Sequence, residues 1–118
     1  MATEAEPTPS AVGRPASVTP VSGYFLVRQR RGPEWDASKR RREQAGWDRH
    51  AAFIDGLGDR VVIGGPIDDV DGEFVVLLVR AEAEADARAM FDADPWMGSI
   101  LQIAAVERWT LWIGADRL

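Results

Sequence analysis

One histidine, His50, stands in the stretch GWDRHAAFIDGL (46–57), and the chain has no cysteine. An imidazole can shuttle protons near neutral pH, ligate a metal or act as a nucleophile. These chemistries ask for different neighbours. A lone His without thiolates offers too few nitrogen and sulfur ligands for a metal, so neither metal nor cofactor is expected. Proton transfer asks only for a carboxylate that orients the ring and a cavity that admits a substrate. Asp94, in DADPW (92–96), is the acid to weigh as that partner. An Asp before Pro at a helix start is equally an N-cap, worth about 1 kcal/mol. Spacing along the chain does not show that the two side chains meet.

The helix that carries His50 says where its ring points. At about 100° per residue, Trp47, His50, Ala51, Phe53, Ile54 and Leu57 share one arc. Asp48, Arg49, Ala52, Asp55, Gly56 and Asp59 fill the other. His50 therefore lies within the core-facing stripe, where a ring nitrogen must find a partner. A structural histidine bonded to a backbone carbonyl and a functional acid–base group both satisfy that demand.

The surrounding pattern supplies the elements that would hold such a pair. GYFLVRQ (23–29) reads as a strand, and RRGPEWDASKRRREQ (30–44) as a polar loop. The His50 helix stops near Gly56 or Gly58, and RVVIGGP (60–66) is a second strand. DDVDG (68–72) is a turn whose Asp71-Gly72 pair suits positive φ angles. EFVVLLV (73–79) is a third strand, and AEAEADARAMFDA (81–93) a helix with Met90 and Phe91 on one side at its end. DPWMGSILQ (94–102) opens with Asp then Pro and reads as a turn or two of helix. AAVERWTLWIG (104–114) alternates as a final strand.

The order β-α-β-β-α-β is ferredoxin-like: an α+β fold with a four-stranded antiparallel sheet and its helices on one face. FVVLLV is apolar on both sides, as in a strand covered on both faces. A second copy of the sheet is the simplest cover, so a homodimer packed sheet to sheet is expected.

The chain's 118 residues suggest one domain, residues 22–118, after a tail at 1–21. Pro7, Pro9, Pro15 and Pro20 lie in that tail among Ala, Ser, Thr and Glu, a composition that favours disorder. It has neither the basic start nor the apolar core of a signal peptide. No apolar run reaches the ~20 residues that would cross a bilayer. With no cysteine to oxidise, a cytoplasmic location is expected. A net charge of −5 disfavours nucleic acid as a partner.

Against that acidic total, Arg28, Arg30, Arg31, Lys39, Arg40, Arg41 and Arg42 form a local basic cluster. It reads either as a solvated loop flank or as a rim that draws in an anionic ligand. DDVDGE (68–73) lacks EF-hand spacing and is a hairpin turn, and EAEADAR (82–88) is a solvated helix face. Most of the five tryptophans should be core or interface. Trp35 and Trp47 could also line an apolar or aromatic pocket.

The order RHAAF, IGGP, DADPW and a last Trp-containing strand resembles the YciI-like (YCII-related) family over roughly residues 23–113. RGPEWDASKRRREQAGWD is similar to a long loop of one subgroup. The resemblance implies a ferredoxin-like fold assembled as a dimeric α+β barrel, with a His–Asp pair in a pocket. One such relative is a dehydrochlorinase acting on a chlorinated hydroxyquinone.

Mapped here, the pair is His50 and Asp94; the residues expected to bind substrate beside it are Trp35, Trp47, Arg28, Gly65, Pro66 and Trp96. The implied activity is lyase- or isomerase-like acid–base chemistry on a small cyclic or enolisable ligand, anionic or aromatic. A phosphohistidine role has also been proposed for the family, but no phosphate-cradling glycine loop accompanies it here. The alternative is a non-catalytic dimeric module that binds a small ligand or acts as an accessory protein.

Overall fold

The computed structural model describes residues 23–118, so the tail expected at 1–21 lies outside the described residues. Among the described residues, four strands and two α-helices run in chain order: β1 (Gly23–Arg31), α1 (Trp47–Gly56), β2 (Val61–Pro66), β3 (Phe74–Ala81), α2 (Glu84–Ala89) and β4 (Leu101–Arg108). The four strands form one antiparallel sheet in the order β2-β3-β1-β4. The fold is α+β, with two α-helices beside that sheet.

Alternation along β1 and β3 divides the sheet into two faces. Phe25 and Val27 on β1 stand opposite Val79 and Leu77 on β3. They are buried together with Leu57, Ala87 and Phe91, and Phe53 and Ile54 of α1 pack onto them. Both helices therefore contribute to the core on this covered face. Full burial of side chains such as Phe25, Val27 and Phe91 stabilises by roughly 1.5–3 kcal/mol each. The same register sends Leu26, Arg28, Val76 and Leu78 to the opposite, open face.

Two bulges keep the alternation in step with the core. One interrupts the β1–β4 pairing between Arg28 and Gln29. Ile103 and Val106, three residues apart, thereby both join the covered side. The other lies between Val61 and Ile63 on edge strand β2, which ends at Pro66, where a missing amide does least harm.

Several sequence expectations are corrected. The predicted 81–93 helix contracts to Glu84–Ala89. Beyond it, tight three-residue turns (Asp92 N–H to Ala89 O, Asp94 N–H to Phe91 O) replace the helical ladder and bury Phe91. Residues 94–100 form turns and not a helix, and Leu101 and Gln102 already belong to β4. The last strand starts earlier and ends sooner than 104–114. Trp109 N–H still bonds Tyr24 O at 2.8 Å, but among the described residues β1 offers no partner to residues 110–114. Trp112 and Ile113 are consequently exposed.

In the 68–72 turn the positive φ belongs to Asp68 (75°), not to the Asp71-Gly72 pair. Gly72 is required for space: a Cβ there would collide with the carbonyl oxygen of Ile67. Among the described residues no helix is long and apolar enough to cross a membrane.

Candidate functional site

The His50 ring is fixed from two directions. Gly46, at φ 78°, turns the chain into α1 and supplies the carbonyl that accepts the His50 N–H at 3.0 Å. The residues on the polar arc of α1 are exposed, whereas His50 is buried at 8% exposure, as its place on the helix requires. From the other side comes the Asp-Pro-Trp turn. Asp94 Oδ1 accepts the Trp96 N–H at 2.9 Å, bridging two residues within the turn. Trp96 Nε1–H donates to Ala45 O at 2.7 Å, which ties this turn to the entrance of α1.

The tie brings the two predicted residues together. His50 Nδ1 lies 3.0 and 2.9 Å from the two carboxylate oxygens of Asp94, whose side chain is wholly buried. A carboxylate only accepts, so Nδ1 carries the proton and Nε2 is left for other work. The imidazole lies flat against Trp96, with ring centroids 4.1 Å apart and planes 6° from parallel. Trp47 flanks both rings at 5.7 Å. The ring has one partner nitrogen, one stacked face and little freedom to turn.

His50 opens onto a cavity of about 200 Å³ between α1 and the covered face of the sheet. Nε2 makes no hydrogen bond among the described residues. Of the predicted binding residues, Trp47, Gly65 and Pro66 line this cavity. The other three do not.

Trp96 lies beneath the imidazole as its support. Trp35 carries the guanidinium groups of Arg31 and Arg41 on its ring, at 4.8 and 5.1 Å. Arg28 points to the open face, where it lies 5.8 Å from the Phe74 ring and borders a separate depression. The cause is strand parity: Arg28 alternates with Phe25 and Val27, whereas Gln29 shares their face.

Two polar lining residues, Gln29 and Arg41, stand outside the predicted binding set, although Arg41 falls in the basic cluster read as a rim. Gln29 alternates inward with Phe25 and Val27, a signal present in the sequence. Arg41 belongs to the arginine run, but its burial depends on the distant 68–72 turn. Its Nε donates to Val70 O at 3.2 Å and Nη2 to Gly72 O at 2.6 Å, while Asp71 Oδ1 accepts its backbone N–H at 2.9 Å. Burial, and then the charge of nearby Arg31, push the Arg41 guanidinium below its ordinary pKa, with Asp71 opposing.

The loop that delivers Arg41 is ordered by buried Gln44. Its amide donates to Asp36 O and Lys39 O and accepts from Asp36 N–H. Outside the His50 cavity, Arg40, Arg41 and Arg42 border a wider basin of about 480 Å³ that shares Arg41, Trp47 and Pro66 with it. Comparison of the chain with family models, with curated proteins and with solved structures returns no match.

Proposed function

We propose that this chain is a small cytoplasmic enzyme that moves a proton on a small organic substrate, with His50 as the acid–base group and Asp94 as its positioning partner. One observation carries the reading: a buried imidazole bonded through Nδ1 to a buried carboxylate, stacked on a tryptophan, with Nε2 unbonded among the described residues and the side chain lining a cavity. Asp94 selects the tautomer and holds the ring. His50 Nε2 takes a proton from an acidic carbon or hydroxyl of the substrate and returns it at a neighbouring atom or to a leaving group. General acid–base catalysis of this kind contributes about 10²–10⁴-fold. Isomerisation and elimination both fit, because each needs one proton acceptor and a dry, shaped space.

The YciI-like resemblance belongs to the same proposal, as does a ferredoxin-like chain pairing into a dimeric α+β barrel. The strand order β2-β3-β1-β4, with a helix in each crossover, supports that topology. Ile63, 65% exposed, and Leu26, Val76, Leu78 and Trp109 border a depression of about 500 Å³ on the open face, which supports sheet-to-sheet pairing. Light scattering at micromolar protein should give twice the chain mass, and a stable monomer removes the dimer.

A screen of enolisable and halogenated cyclic compounds tests the activity. Turnover should fall by about 10²-fold or more in His50→Ala. Equal turnover in that variant ends the catalytic role of His50, and turnover of no compound leaves a ligand-binding module, which the largely apolar cavity wall would also suit.

A further inference from the structure

Besides the histidine, two buried polar side chains line the same cavity, Gln29 and Arg41. Gln29 is 1% exposed, and its Nε2 has no hydrogen-bond partner. A buried amide donor left unpaired is rare in a native protein and asks for a ligand or water. Arg41, 7% exposed, lines the cavity as well. Its guanidinium is held by two carbonyl groups, which fix its direction without supplying a paired carboxylate.

No carboxylate among the described residues forms an ion pair with that guanidinium. Asp71 instead takes the Arg41 backbone N–H and pairs with Arg40 at 3.5 Å. Arg31 shares the Trp35 ring with it and adds a second positive charge. The Nη1 hydrogens of Arg41 have no acceptor among the described residues. The rest of the wall is apolar, including Trp47, Ile54 and Leu101. At about 200 Å³ the space is below the roughly 300–1,000 Å³ of sites for drug-sized molecules.

From this arrangement we infer that the cavity takes a small organic anion, a carboxylate on an apolar body no larger than a single ring. Arg41 Nη1 donates to its anionic oxygens, a turn of the buried Gln29 amide brings Nε2 to them, and Trp47 and Leu101 pack on its body. As a statement about substrate class this rests on the acid–base reading of His50, whereas as a statement about binding it does not. The exposed arginines of the outer basin raise the local anion concentration, and Arg41 provides the contact that selects.

The test titrates the full chain with benzoate and with its neutral counterpart benzamide. NMR follows the one imidazole in the chain and the arginine Nε–H signals. Benzoate should shift the His50 ring and one buried arginine signal, and bind about 10- to 100-fold more tightly than benzamide. The preference should persist at high salt, because a buried contact is screened little.

Arg41→Gln should abolish the preference. Should that variant fail to fold, Gln29→Leu, which removes an unpaired donor at similar volume, should fold and weaken benzoate about 10-fold with little change for benzamide. Equal affinity for the two probes in the wild-type protein overturns the inference. So does binding of neither at millimolar concentration, or shifts confined to Arg40 and Arg42. His50→Asn separates the two readings. A retained benzoate preference with no turnover found in any wild-type screen keeps the anion site and ends the acid–base role. Turnover that needs His50 alongside equal probe affinities does the reverse.

Discussion

On the covered face of the sheet the polar side chains are few, and Gln29 among them is buried, whereas on the open face they are more numerous and half-buried or exposed. Neighbours on β1 show the contrast most directly. Arg28 lies across Phe74 on the open side, and Gln29 is sealed beside the His50 cavity on the other. Open-face and edge groups such as Arg30, paired to half-exposed Glu73 at 3.4 Å, gain little, since exposed ion pairs contribute about 0–1 kcal/mol. His50, Asp94 and Trp96 each brace another. The same strands thus offer one surface suited to packing and one suited to chemistry, and burial of polar groups distinguishes them.

The sharpest way to break this contrast is Trp96→Ala. It removes a ring that is 1% exposed, the bond to Ala45 O and the surface under the imidazole. A loss of about 3–5 kcal/mol is expected, read from the midpoint of urea unfolding. A loss under about 1 kcal/mol would mean that the covered face is not organised around this turn.

Asp94→Asn comes next. The amide oxygen can still accept the Trp96 N–H, but the Nδ1–H of His50 loses a charged partner, at about 1–3 kcal/mol. Nitrogen NMR of the imidazole should show the Nδ1–H tautomer in the wild-type protein and a mixture in the variant. An unchanged spectrum would show that something else holds the ring.

How much of this is legible in the sequence depends on how local each cause is. The place of His50 comes from helix periodicity over a dozen residues, and the polar arc of α1 is exposed throughout. Gln29 is equally legible, because it alternates with Phe25 and Val27. Selection by charge picks Arg28 instead, and with it the wrong face. Asp94 is readable as an acid at a corner. Its contact with His50 depends on the Trp96–Ala45 bond, which joins residues 51 positions apart.

Arg41 cannot be told from Arg40 or Arg42 in sequence, since only the folded 68–72 turn selects it. The end of β4 is likewise set by where its partner strand stops, and periodicity within residues 104–114 does not encode that. In β2, the two glycines of IGGP look alike in sequence yet have different surroundings. That difference gives a third, smaller test.

Gly64 stands opposite Leu77 on the covered face, where an added Cβ would lie 3.1 Å from Leu77 Cγ and 3.1 Å from Val76 O. Gly64→Ala should cost about 1–2 kcal/mol and narrow the His50 cavity. Gly65 stands opposite Val76, and a Cβ there meets nothing within 4 Å. Gly65→Ala should be neutral or stabilising by about 0.4–1 kcal/mol. Thermal melts of the pair decide it. Equal effects would mean that β2 does not separate the faces as its register indicates.

The smallest expected effect is that of Trp112→Ala. Trp112 is chemically the same residue as Trp96 but is 85% exposed, in a segment that leaves the sheet after Arg108. Without burial, the truncation removes little from the folded state, and a change within about 0.5 kcal/mol is expected. A protein-concentration series makes the measurement informative about the open face. If the loss exceeds about 1 kcal/mol only where a dimer forms, the C-terminal segment is covered by the second copy. Exposure of Trp112 would then belong to the isolated chain alone, and the exposure of the open face would be a property of the unpaired sheet.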